Sequence, residues 1–253
     1  MSALPQELAA VLAHMPHEQR QRLAGRDYWP GHVGGTDVVA VVTGIGKVAA
    51  ATTATLLIQH HGVTGIVFTG VAGGLGEGVA VGDVVVASGL LQHDMDASPL
   101  CPRHEVPGYG QAVFATEASW SVHLEQAARR AQARWAAQLG PATVAAYGLQ
   151  HPKTHTGLVI SGDRFVSTAP ESDALRLRLP QALAVEMEGA AVAQVCHDFG
   201  VPLAVVRTIS DRADDSAHVD FNQFVDDVAS ATSASMVLDW LTRLGANHSP
   251  KQP

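Results

Sequence analysis

The chain has 253 residues, 47% of them hydrophobic and only 16% charged, enough to bury a large core in a single α/β domain without a linker. A net charge of −8, with 16 Lys and Arg against 24 Asp and Glu, argues against a phosphate-backbone ligand, so neither DNA nor RNA is expected as a partner. The two cysteines, Cys101 and Cys196, give no disulfide framework and no Cys-based zinc site, and no segment reads as a membrane span or a leader, which together suit a cytoplasmic protein.

Along the chain, apolar runs bounded by Gly or Asp predict strands over 38–43, 65–70, 84–91, 157–161, 182–186 and 203–210. Helical patterns lie over 47–60, 115–139, 187–199 and 221–244. This alternation predicts one domain of three α/β/α layers around a central mixed β-sheet. Ligands in such sheets bind at the carboxyl ends of the strands. Polar groups gather at four such ends: TGVAGG (69–74), SGDRFV (161–166), VEME (185–188) and RTISD (207–211).

The VEME stretch poses the sharpest question, because Glu186 and Glu188 stand at a strand-to-helix junction in an otherwise apolar run. Burying an unpaired carboxylate is costly, so the plainest expectation is one solvated glutamate and one helix cap. Other motifs exclude more than they assign. GIGKVA (44–49) fits a relaxed dinucleotide fingerprint, but the next strand ends without the acid that holds a ribose, and a P-loop reading fails at Val41 and Val48. The thirteen histidines include no HExxH pair and no ligand spacing, so no metal and no cofactor is expected. HDMD (93–96) is compatible with a divalent ion and equally with a packed loop, and it is read as structural. No GxSxG elbow supports acyl transfer.

Four segments, TGIGKVAAA (43–51), TGVAGGLGEGVAVGDVVVA (69–87), SGDRFV and VEMEGAAVAQVCHDFGVPLAVVRTISDRAD (185–214), together resemble the 5'-methylthioadenosine/S-adenosylhomocysteine nucleosidases of the nucleoside phosphorylase superfamily. The likeness runs from about Ala3 to Val225, and VEMEGAA followed by VVRTISD is its most specific part. It implies hydrolysis of an adenine N-glycosidic bond, within nucleoside catabolism and methionine salvage. Such chemistry passes through a ribosyl cation, which calls for an acid at the base, an anion at the sugar and an activated water.

The resemblance assigns these roles residue by residue. Asp211 matches the acid toward purine N7, and Glu7 in ALPQEL (3–8) the water-activating glutamate. Glu188 matches the ribose binder, with Met187 packed on the sugar and Glu186 secondary. Phe165 matches the ring stacked on adenine, and Val166 offers backbone contacts to the base. Arg207 would orient the water and Ser210 the acid, while Ile45, Ala72, Gly73 and Phe221 complete the implied binding surface.

The implied partner is a small adenine nucleoside thioether, bound by a homodimer whose loop 94–110 lines the neighbouring site. Two departures stand out: Val71 replaces a common hydroxyl, and Leu100 stands where the family often has an aromatic. A phosphate-dependent purine nucleoside phosphorylase and a catalytically weak nucleoside-binding relative remain alternatives. Only Met1 and Ser2 precede the ALPQEL segment, where the family carries an apolar first strand. The expectation is therefore a domain lacking that strand, and a stabler, more active form extended by roughly six to ten residues.

Overall fold

Pro5 at the first helical position and Glu7, whose carboxylate accepts the N–H of Leu4, start helix α1 (Pro5–Leu12). The computed structural model describes residues 1–15, 19–214, 221 and 223–248. After α1 comes an antiparallel sheet of β1 (Gln21–Leu23), β2 (Arg26–Val33) and β3 (Thr36–Val41). Next follow α2 (Lys47–Gln59), β4 (Ile66–Gly74), β5 (Val84–Gln92), β6 (Val113–Ala115) and α3 (Ala118–Ala146). Then come β7 (Thr154–Ser161), α4 (Ala169–Arg178), β8 (Ala182–Glu186), α5 (Gly189–Phe199) and β9 (Leu203–Asp211). A wide turn of π-helix at Val225–Ala229 leads into α6 (Ser230–His248).

The central sheet has the order β6-β5-β7-β8-β4-β9 and is mixed: β4 runs parallel to β9 and antiparallel to β8, and β7 is parallel to both β5 and β8. β9 also pairs antiparallel with β5, from Val84↔Thr208 to Val86↔Val206, which closes the sheet on itself. Every residue of β9 is buried, as expected for a strand covered on both faces and held at both edges. Helices α2 and α5 pack on one side through Leu57, Phe68, Val159 and Val192. Helices α1, α3 and α6 cover the other through Leu8, Trp135, Met236 and Trp240. The expected three layers and mixed sheet are both present; the closure is an addition.

Several boundaries differ from the sequence pattern. β3 ends at Val41, and Met187 and Glu188 precede α5 rather than opening it. α3 extends to Ala146 across a kink at Gly140 (φ 78°), next to Pro141. Strands β1, β2 and β6 and helix α4 were not foreseen. β2 carries Pro30 and Gly31 in its middle, and β6 has only three residues, so neither presents a clean period-two pattern.

Met1 and Ser2 lie between β3 and β4 and pair with the flanking backbone of both. The Met1 amine donates to Val67 O at 2.9 Å and Ser2 N–H to Val41 O at 3.2 Å, while Met1 O accepts from Thr69 N–H at 3.1 Å and Ser2 O from Thr43 N–H at 2.8 Å. Beyond them the two strands part around a cavity of about 780 Å³ lined by Val39, Leu57, Val67, Trp120 and Trp240. Among the described residues, β1–β3 therefore form a sheet separate from the main one.

Candidate active site

A cavity of about 330 Å³ opens at the carboxyl ends of β4, β8 and β9, and all twelve residues singled out in the sequence line it. The close approach of β4 and β9 makes this possible. A Cβ on Gly73 would stand 2.9 Å from Ala213 Cβ and 3.0 Å from Asp211 Oδ1, so only glycine lets the acid sit there.

Neither VEME glutamate is solvated. Glu186 Oε2 takes a hydrogen bond from Arg207 Nη2 at 2.7 Å, and its two oxygens accept the Gly189 N–H at 2.9 and 2.8 Å at the start of α5. Ser161 Oγ donates to the same carboxylate and accepts the Ala190 N–H. Glu186 is thus the cap and the ion-pair partner. Arg207 is spoken for by this pair, by the Phe68 and Val206 carbonyls, and by the Phe68 ring 4.2 Å below its guanidinium.

Glu188 is left facing the cavity, with Oε1 accepting the Gly46 N–H at 2.9 Å. Burial and then the neighbouring Glu186 charge push its pKa up to about 7, against the opposing pull of Gly46 and Arg207.

Glu7 is 1% exposed. Its Oε2 accepts the N–H groups of Ala3 and Leu4 at 3.1 and 2.9 Å, and its Oε1 that of Val71 at 3.0 Å. Burial raises its pKa above the usual glutamate value, although these donors and Arg207 oppose the shift. Across the cavity, Asp211 Oδ2 accepts from Ser210 Oγ at 2.8 Å and Oδ1 from the Ala213 N–H at 2.7 Å. Ser210 and the Ala213 N–H thus hold the Asp211 carboxyl from both oxygens.

Phe165 and Phe221 meet edge to face at 5.5 Å on the apolar side, with Val166 buried behind them. Ile45, Ala72 and Met187 line the remaining wall. Sequence reasoning did not assign Ala3, Leu4, Thr69, Gly70, Arg164 or Val185 to the site, and all six line it. Their small or apolar side chains carry no chemical signal, and Arg164 is turned to an ion pair with Glu171. Among the described residues no cluster of three or more His, Cys, Asp or Glu could hold a metal ion.

Four buried carboxylates, one of them paired with Arg207, surround one small cavity at the end of a strand that closes a mixed sheet and define a phosphorylase-superfamily site, and the profile of the phosphorylase superfamily matches residues 1–242. A 5'-methylthioadenosine/S-adenosylhomocysteine nucleosidase of Shewanella putrefaciens is 37% identical over 89% of this chain and 90% of its own. The chain belongs to that nucleosidase family, whose members are N-glycosyl hydrolases. Among solved structures, the S. pneumoniae nucleosidase with the transition-state inhibitor MT-ImmA superposes with a TM-score of 0.82 at 31% identity, covering 96% of this chain and 97% of that one. Futalosine hydrolase of Helicobacter pylori superposes equally well, with a TM-score of 0.82 at 30% identity, 96% of this chain and 95% of that one.

Proposed function

We propose that the chain hydrolyses the N-glycosidic bond of 5'-methylthioadenosine, S-adenosylhomocysteine or both, releasing adenine and a 5-thioribose derivative. The convergence of Glu7, Glu188 and Asp211 on one cavity that also holds Phe165 carries this reading. Asp211, fixed by Ser210 and the Ala213 N–H, gives a proton to N7 as the C1'–N9 bond breaks and its electron pair moves into adenine. Glu188 accepts the ribose hydroxyls, and its negative charge favours the cation forming at C1'. Glu7 takes a proton from the water whose oxygen bonds to C1'. Burial raises its pKa and makes it a stronger base than an exposed glutamate. Phe165 stacks on the base, Val166 offers it backbone contacts, Met187 packs on the sugar, and Arg207 neutralises Glu186 beneath the water.

The deciding experiment measures adenine release from methylthioadenosine with and without phosphate. Equal rates are expected, and a strict need for phosphate would make the chain a phosphorylase instead.

The reading includes a homodimer in the cytoplasm, acting in methionine salvage. Ile45 at the cavity, Val48 in the first turn of α2 and Leu100 in the loop 94–110 expose 58%, 78% and 90% of their surface, a cost that a second subunit would remove. Sedimentation at micromolar concentration is expected to give a dimer burying more than about 1,000 Å²; a fully active monomer contradicts it. No helix among the described residues is long and apolar enough to cross a membrane.

A further inference from the structure

Three loops meet at the start of α2 in a cluster to which the reaction assigns no role. Lys47 opens that helix, one residue after Gly46, whose N–H holds Glu188. The Lys47 ammonium donates to Asp94 Oδ1 at 2.6 Å and to Gln92 Oε1 at 3.1 Å. Its backbone N–H donates to Asp163 Oδ1 at 2.7 Å, and Asp163 in turn donates its own N–H to Asp94 Oδ2 at 2.9 Å. Asp163 Oδ2 lies 3.9 Å from the ammonium as well.

The Lys47 side chain is only 17% exposed, so these contacts are less screened than surface ion pairs. Burial pushes the Asp94 carboxyl up, but Lys47 and the Asp163 N–H outweigh it and hold it below the usual range. Gly46 has φ 98°, and a Cβ there would meet Asp163 Oδ1 at 3.1 Å, so this corner admits no larger residue without displacement. Two residues beyond Asp163, the same loop presents Phe165 and then Val166 to the cavity.

We infer that Lys47 is a positioning residue for nucleoside recognition: through Asp94 and Asp163 it fastens the loop carrying Phe165 and Val166 to the helix start whose Gly46 N–H orients Glu188. Base and ribose are then recognised from one bracket, and the HDMD run gains a role through Asp94. The inference rests on the proposed function, since it takes the occupant of the cavity to be an adenine nucleoside.

The test prepares Lys47→Met, Lys47→Arg, Asp94→Asn and the Lys47→Met/Asp94→Asn double variant, and follows methylthioadenosine hydrolysis, calorimetric adenine binding and Tm. Lys47→Met is expected to raise both KM and the adenine Kd about tenfold, with kcat within about threefold and Tm within about 2 °C of the parent. Lys47→Arg should recover most of the affinity, and Asp94→Asn should add little in the Lys47→Met background, because the two act through one contact. Unchanged KM and Kd in Lys47→Met would overturn the proposal. So would a fall in kcat and Tm with KM unmoved, which is the behaviour of a merely structural ion pair. Parent protein that binds adenine but releases none from methylthioadenosine overturns the hydrolytic reading alone, and the adenine Kd values still decide the bracket.

Discussion

Glu188 is a carboxylate that the fold makes costly to ionise, with Glu186 close by and little water to solvate either charge. Its pKa of about 7 lies above the ordinary glutamate value of 4.5, so between those pH values the folded protein binds more protons than the unfolded chain. The Glu188 contribution to stability therefore falls as pH rises through that window and is lowest above it. The Met1 amine, lowered by burial to about 5, acts with the opposite sign between about pH 5 and 8, so the two must be separated by mutation. Glu188→Gln keeps an oxygen for the Gly46 N–H and removes only the charge. It is expected to abolish most activity yet stabilise the protein at pH 8 by about 1–3 kcal/mol, with the gain vanishing near pH 4.5. Thermal melts at both pH values decide it, and an equal shift at both would deny the charge its part. Asp211→Asn is expected to lower kcat by about two orders of magnitude or more with an unchanged melt, and near-normal turnover would remove Asp211 from the chemistry. The sequence placed both VEME glutamates at a strand-to-helix junction, and the junction is real. It did not reveal which one is paired, because the partner, Arg207, lies 21 residues away and is brought under Glu186 only by the sheet.

Among the elements, β4 and β9 matter most to the site, because their parallel pairing shifts register between Ala72 and Gly73 just where Asp211 turns inward. Gly73→Ala puts a methyl group within 3.0 Å of the Asp211 carboxyl and against Ala213. The expected result is a fall in kcat of about tenfold or more with a smaller change in KM, read from steady-state kinetics; unchanged kcat would mean that the acid tolerates displacement. The long apolar strands β4, β5 and β9 were legible because burial on both faces makes them continuous hydrophobic runs. Helix α4 was missed although Pro170 and Glu171 sit in its first turn and Arg176 and Arg178 in its last, since its exposed residues, Leu177 among them, break up the apolar stripe. The second pairing of β9, to β5, has no local signature at all, because closure depends on twist accumulated over the whole sheet.

At the scale of the molecule, the cavity between β3 and β4 separates two sheets whose facing edges could share a strand, and Met1 and Ser2 pair with both sides parallel to Val42. Fusing about six apolar, β-branched residues ahead of Met1 is expected to extend this pairing, raise Tm by several degrees and increase adenine release. If the fused and parent chains match in melting and activity, the cavity does not take a strand.

The proposed acid and the proposed base also belong to regions of unequal permanence. Asp211 ends a strand locked at both edges, whereas Glu7 sits in the first turn of a helix of eight residues at the lip of that cavity, joined to β4 through the Val71 N–H. Amide exchange at 205–209 should accordingly need global unfolding, while the N–H groups of Ala3 and Leu4 should exchange through a local opening. The same opening would carry away the proposed base and leave the wall of Phe165 and Val166 intact. Mild denaturant should thus produce a form that still binds adenine but no longer turns over, well before the main unfolding transition.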